Sequence, residues 1–410
     1  MTELVKSLPP MLSGDALKNA LSELPPYDKT IIYADTTSRL IALSDLYKVY
    51  VPTSMSVEIY SKLYLSLLHS LQKKNSKCAV MQANNNFRGM QGQAYTGIMG
   101  GTDSFTIIGA SGIGKSTAVS RALSLVDKGV IESEYSKVCP CIVVQCPFDS
   151  SIKGLLFEVL RKVDEVLGST YYEKAIKAHS TTDMLIGSVS QVALNHIGML
   201  IVDEIQNVAN SKNGKALVGV LTQLINNSGI SIGMVGTPES SIFFEQAMQL
   251  ARRSLGLKYE TLSYDDYFKS LCQILWGYQY VKTAEPLTDT VISWLYEHSA
   301  GIISVVVSLI HDAQEMAILN GADRLDLETL TLAYQDRLTL LHAYIQPVLE
   351  HGSKTTTPKK KKVASDITEI VETTLSNTVT ITGIATVAKA QGLDVVDLIS
   401  ESIAVIEVAI

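Results

Sequence analysis

The run Gly109-Ala-Ser-Gly-Ile-Gly114-Lys115-Ser116 matches G-x-x-x-x-G-K-[ST] in full. Chemistry explains that spacing: the glycines let the chain turn tightly so that backbone N–H groups face an anion, and the helix that follows adds positive potential at its first turn. Gly109, Ala110, Ser111, Gly112, Ile113, Gly114, Lys115, Ser116 and Thr117 are therefore the expected phosphate cradle. Lys115 would neutralise the β- and γ-phosphates, and the Ser116 hydroxyl would ligate Mg²⁺. Further along, MLIVDE (199–204) ends an apolar strand in two acids. Asp203 can hold the metal and Glu204 can polarise an attacking water, a pairing that favours hydrolysis over phosphoryl transfer to a small acceptor. ISIGMVGTPES (230–240) offers a strand ending in Thr237, which either orients that water against the γ-phosphate or serves as a plain Thr-Pro turn. Arg252 and Arg253 are surface charges, or one of them reaches a neighbouring subunit's nucleotide as a finger.

These groups need a frame. SFTIIG, CIVVQCPF, GMLIVDE and ISIGMVGT read as strands, separated by helical stretches near 115–128, 152–168, 183–196 and 214–227, and LKYETL (257–262) as a last strand. Near-continuous apolar strands alternating with helices predict a parallel sheet covered on both faces, an α/β fold. Beyond it, DYFKSLCQILWGYQYV, DTVISWLYEHS, GIISVVVSLIHDAQEMAILNG and LDLETLTLAYQDRLTLL read as a helical lid. Upstream, EIYSKLYLSLLHSLQKK has apolar residues at helical spacing, and QANNNFRGMQGQAYTGIMGG reads as a polar, Gly-rich connector. The expected division is an arm over 1–38, a helical extension and connector over 39–100, an α/β core over 101–262, a lid over 263–346, and a linker with a docking tail over 347–410.

The totals narrow the class. The chain has 410 residues, 46% hydrophobic and 18% charged, which suits a packed globular protein. A formal net charge of −7 excludes a uniformly basic nucleic-acid coat but not a local basic stripe. Five cysteines form no CxxC pair and no Cys/His metal spacing, as in a protein of a reducing compartment. The first residues lack the pattern of a signal peptide, and no run of about 18 apolar residues occurs. A cytoplasmic protein without a membrane span is expected.

With its sensor strand GTPES and helical lid, the sequence resembles the AAA+ ATPases, a P-loop NTPase core with a C-terminal lid subdomain. Three stretches, 39–64, 145–164 and 200–239, resemble TnsC, the AAA+ regulator of cut-and-paste DNA transposons related to TniB and MuB. The most specific is Cys146-Pro-x-Asp-x-Ser-x-Lys-Gly154. The resemblance implies an ATP- and Mg²⁺-dependent homo-oligomer, a ring or helical filament on double-stranded target DNA. It would link a target-selection protein of the TniQ/TnsD type to the transposase. It also implies DNA contacts between the two nucleotide motifs, with Lys153, Lys174 and Lys177 as candidates beside Lys212 and Lys215, and a nucleotide base near Val51 and Pro52. Contacts to phosphates alone would make binding independent of sequence, each adding about −0.9 to the salt slope. One departure is that 299–312, where many AAA+ proteins carry a γ-phosphate-touching arginine, has none; slow, switch-like turnover would follow.

The tail holds the basic run PKKKK (358–362), a DNA or acidic-partner contact or a solvated linker. In 381–402, Ala388, Gly392 and Leu398 echo helix-turn-helix spacing, but Asp394, Asp397 and Glu401 would repel phosphates, so a protein-docking element is expected. Three rival readings follow from the same residues: a replication initiator or clamp loader, which would carry a basic winged helix after the lid; a signalling NTPase indifferent to DNA; and a small-molecule kinase, disfavoured by Glu204.

Overall fold

Alternation of side chains along apolar strands decides how the chain layers itself. The computed structural model describes residues 3–74, 76–93, 97, 104–132, 137–208, 214–241, 254–283, 285–339 and 342, within a unit that spans Met1–His351. Helices α1 (Glu3–Lys6), α2 (Gly14–Leu21), α3 (Thr36–Leu43), α4 (Ser54–Lys74) and α5 (Lys77–Met90) precede strand β1 (Ser104–Gly109). There follow α6 (Lys115–Val126), β2 (Ile131–Glu132), β3 (Lys137–Gln145), α7 (Ile152–Leu167), α8 (Tyr171–Lys177), α9 (Thr182–His196) and β4 (Ile197–Asp203). Next come α10 (Gly214–Ser228), β5 (Ser231–Gly236) and β6 (Ser254–Tyr259), then α11 (Asp266–Trp276), α12 (Asp289–Ser299), α13 (Ile303–Asn320) and α14 (Leu327–Arg337).

The sheet order is β2-β3-β4-β5-β1-β6, parallel except for the short β2–β3 pair. Phe105, Ile107, Met199, Ile201 and Val235 face α4 and α6, with α1 and α2 packed beyond. Ile108, Leu200, Val202, Ile232 and Met234 face α7, α9 and α10. Burying both faces is what a parallel sheet requires. A third core fills the lid, α11 to α14, and takes in Leu43 and Leu46 from the N-terminal region. Thus residues 1–100 are shared between two cores: α3 and the turn after it join the lid, while α4 covers the sheet. Among the described residues no single helix is long and apolar enough to cross a membrane; α12 and α13 meet that criterion only together, bent by 119°.

Three elements differ from the sequence expectation. The connector expected from residue 82 is largely helical, since α5 runs to Met90. Its Asn and Gly content disfavours a helix, but packing overrides propensity. Gln82 and Asn86 are buried, Gln82 Nε2 donates to Asn86 Oδ1 at 2.9 Å, and Asn86 Nδ2 donates to the Asn227 carbonyl at 2.9 Å. The last strand lies three residues earlier than expected, because β6 pairs along all of β1, from Ser104↔Ser254 to Gly109↔Tyr259. The third is β3, which begins before Pro140, a residue tolerated near a sheet margin that only the two-residue β2 extends. The tail, Lys212, Arg252 and Arg253 lie outside the described residues.

Lys74, at the end of α4, fastens that helix to the sheet layer. Its ammonium donates to the carbonyls of Ala193 (2.8 Å) and Leu194 (2.7 Å), which close α9. Burial pushes it down from 10.5 to about 7, against a smaller opposing effect of Cys139. The unfolded chain therefore binds more protons than the folded one above pH 7, and stability rises with pH there. Between pH 7 and 8, before the thiols of the unfolded chain lose their protons, Lys74 should add up to about 1.4 kcal/mol of unfolding free energy per pH unit. Denaturant unfolding across that range should show the slope in the native chain and a flat profile in Lys74→Met.

Candidate nucleotide site

Strand β1 delivers the loop and helix α6 carries it away. Gly112 and Gly114 sit at φ +80° and +92°, where a side chain would be strained, so the loop can fold back over the first turn of α6. Lys115 is buried and donates to the carbonyls of Gly109 (2.7 Å) and Ala110 (2.8 Å). Burial pulls its ammonium below the ordinary lysine value, with the carboxylates of Asp203, Glu204 and Glu239 acting the other way. A cation held in this way can transfer its hydrogen bonds to an incoming anion.

Parallel pairing of β4 with β5, itself beside β1, brings the acids to the loop. Ser116 Oγ donates to Asp203 Oδ2 at 2.8 Å, and the Glu204 backbone N–H donates to Asp203 Oδ1, also at 2.8 Å. A serine hydroxyl against a carboxylate is an oxygen donor set suited to a hard divalent cation. Glu204 sits at φ +56° just past the strand, its carboxylate held by the Gln206 side-chain amide. Thr237 closes the far wall: its backbone N–H donates to Gln206 Oε1 at 3.3 Å, and its side chain hydrogen-bonds Glu239, holding that carboxyl below its usual range. Of the residues assigned from the sequence, Ser111, Gly112, Gly114, Lys115, Ser116, Thr117, Asp203, Glu204 and Thr237 line one cavity and Gly109, Ala110 and Ile113 do not; Gln206, Gly236 and Ser304, which had not been assigned, line it too.

A second, apolar cavity of about 210 Å³ continues from the loop. One wall is Tyr47, Val49, Tyr50 and Val51; Leu271 and Leu275 of α11 and Ile303 and Val307 of α13 form the other. The expected base segment is present through Val49 to Val51, whereas Pro52 is not among the lining residues. Tyr50 is pinned by a two-way backbone pair with Glu23, and the Val51 carbonyl accepts from the Tyr267 hydroxyl at 2.9 Å. The lid touches the loop itself: Ser304 N–H donates to the Gly112 carbonyl at 3.1 Å. Ser304 and Ser308 of α13 also line this slot. No signal in the sequence marked Ser304; the signal for Gln206 was its place in the DEIQN run.

The lysines proposed for DNA are placed less simply. Lys153 opens α7 and its Nζ donates to the Ser180 carbonyl at 3.2 Å, beside the turn that follows Lys177. Lys177 pairs with Glu173 at 3.5 Å on an exposed face, an interaction of little energy. Lys174 and Lys215 are exposed, the latter on α10.

A phosphate-loop strand, a strand two places away that leads into Asp203-Glu204, a strand between them that leads into Thr237, and a helical lid on the loop define a P-loop NTPase of the AAA+ class. More particularly, residues 98–261 match the family model described as Bacterial TniB protein. The match spans the α/β core and stops short of the lid and of the helices before β1. No curated protein matches the chain. Among solved structures it is similar to Orc1 of Aeropyrum pernix in complex with DNA, at 15% identity over 79% of this chain and 81% of that chain, with a TM-score of 0.40. A Walker-type ATPase of Pyrococcus abyssi is similar at 11% identity, 67% and 74% coverage and a TM-score of 0.38. RuvB of Thermotoga maritima follows at 14%, 84% and 84%, and 0.35.

Proposed function

We propose that this protein is an ATPase that assembles on target DNA when ATP and Mg²⁺ are bound and regulates transposition, linking a target-selection protein of the TniQ/TnsD type to the transposase in the bacterial cytoplasm. The observation that carries the reading is the TniB match over 98–261, laid on a site where Ser116, Asp203 and Glu204 converge on the phosphate loop. Bound Mg²⁺ would supply charge neutralisation at the transferring phosphate. The chain's own residues do the rest. Loop amides and Lys115 bind phosphate oxygens, Ser116 and Asp203 provide the metal's oxygen ligands, and Glu204 accepts a proton from water. The apolar slot between Tyr47 and Leu275 takes the base. An arginine of a second copy, Arg252 or Arg253, would complete the site by reaching the phosphates. Few lysines per subunit suffice for DNA when many subunits line up, since phosphate contacts add.

Negative-stain microscopy of the protein with random-sequence duplex DNA tests this directly. Rings or filaments on DNA are expected with a non-hydrolysable ATP analogue and not without nucleotide, and they should dissolve as salt rises. Oligomers that form with nucleotide but ignore DNA would transfer the assignment to a signalling NTPase.

A further inference from the structure

We infer that Gln206 is a positioning residue that joins the two halves of the hydrolytic apparatus, fixing the Glu204 carboxylate against the end of the sensor strand. The inference rests on the hydrolase reading above and adds a part to it. Gln206 lies in the short helical turn after β4 and lines the phosphate cavity with Glu204 and Thr237. Its Nε2 donates to Glu204 Oε2, and its Oε1 accepts the Thr237 backbone N–H at 3.3 Å. Chemistry fixes that orientation of the amide, because an ionised carboxylate only accepts and a backbone N–H only donates. A single side chain that must donate to one group and accept from another calls for an amide, and asparagine is one methylene shorter.

The surroundings are shaped for this bridge. A Cβ added at Gly236 would lie 2.6 Å from Ile205 Cγ2 and 3.0 Å from Gln206 Oε1, so a larger residue there would push the turn off the strand. Glu204 itself takes the left-handed conformation at φ +56°, which turns its carboxylate away from the strand axis and toward Gln206. The charged group that couples to that carboxylate is Lys115 from the loop, which couples in the same way to Asp203 and Glu239. With one oxygen held by Gln206, the other is left to face a water. Movement of the Thr237 strand end is then carried to Glu204 through one side chain.

Two variants separate the arms. Gln206→Met keeps the length and loses both hydrogen bonds; Gln206→Glu keeps an acceptor for Thr237 but puts a carboxylate against Glu204. Both should lower kcat by about ten- to hundred-fold with KM and the affinity for a fluorescent ATP analogue within about two-fold of wild type. Amide hydrogen exchange of nucleotide-free protein gives a readout independent of turnover. The peptide containing Thr237 should exchange about ten-fold faster in Gln206→Met and stay near wild type in Gln206→Glu. Wild-type kcat or unchanged exchange in Gln206→Met would overturn the inference, as would losses of kcat and affinity in equal proportion. If the wild type itself turned over no ATP, the hydrolase reading would fall, and exchange alone would decide whether the bridge exists.

Discussion

Glu204→Gln is expected to lower ATP turnover by about 10²–10⁴-fold while leaving nucleotide affinity within a few-fold of wild type. The carboxylate is exposed and lines the phosphate cavity. Its side chain accepts from Gln206 and is not part of the Ser116–Asp203 pair, so its removal spares the groups that bind. The amide that replaces it has the same shape and can still meet Gln206, but it cannot take a proton from water. Lys115→Ala should fail one step earlier. It deletes the buried cation that now sits on the carbonyls of Gly109 and Ala110, and phosphate binding itself should be lost. Phosphate-release kinetics together with fluorescent-nucleotide titration distinguish the two. Glu204→Gln with more than a tenth of wild-type turnover would remove Glu204 from the chemistry and leave the cavity a binding site.

The phosphate cradle and the acid pair were legible because they are local: a few residues at fixed spacing determine both loop conformation and chemistry. A parallel sheet covered on both faces followed from apolar strands alternating with helices, whereas the strand order came only with the structure. What escaped the sequence depended on pairing at a distance. The register of β6 is set by β1, not by the apolar run at Leu257, and α5 is helical because Asn86 finds the Asn227 carbonyl across a buried interface. Gln206 is visible in the sequence as a polar residue after two acids; that it reaches both Glu204 and Thr237 depends on the turn that carries it. The base slot was legible only as a segment, since its other wall comes from helices more than two hundred residues away in the chain, at Leu271 and Ile303.

That same division of the N-terminal region makes Arg39 the residue whose loss should cost most stability. Its guanidinium is buried in the lid core and pairs with the Asp323 carboxylate through both nitrogens, while Nη1 also donates to the Tyr280 carbonyl at 3.2 Å. Burial acts to raise the Asp323 carboxyl, but hydrogen bonds from Arg39 and Lys282 outweigh it and hold the group below its usual range. Arg39 Nε has no partner among the described residues, so the guanidinium relies on Asp323 and Tyr280 alone. Removing one member of a buried pair leaves the other uncompensated, and Asp323→Ala should cost about 3–5 kcal/mol by denaturant unfolding. Arg39→Ala should cost a similar amount, since it empties a large buried volume while Lys282, at 3.1 Å, still screens Asp323. The double variant Arg39→Met, Asp323→Ala should cost less than the two single losses together, because no stranded charge remains. The consequence reaches the nucleotide. Helix α3 leads through Leu43 and Leu46, both packed in the lid, to Tyr47, Val49, Tyr50 and Val51 on the wall of the base slot. Loosening α3 should therefore weaken ATP affinity in Arg39→Ala although Arg39 itself is not among the slot's lining residues. Unchanged affinity at reduced stability would mean that the wall is held by the Glu23–Tyr50 pair and the Tyr267–Val51 bond alone.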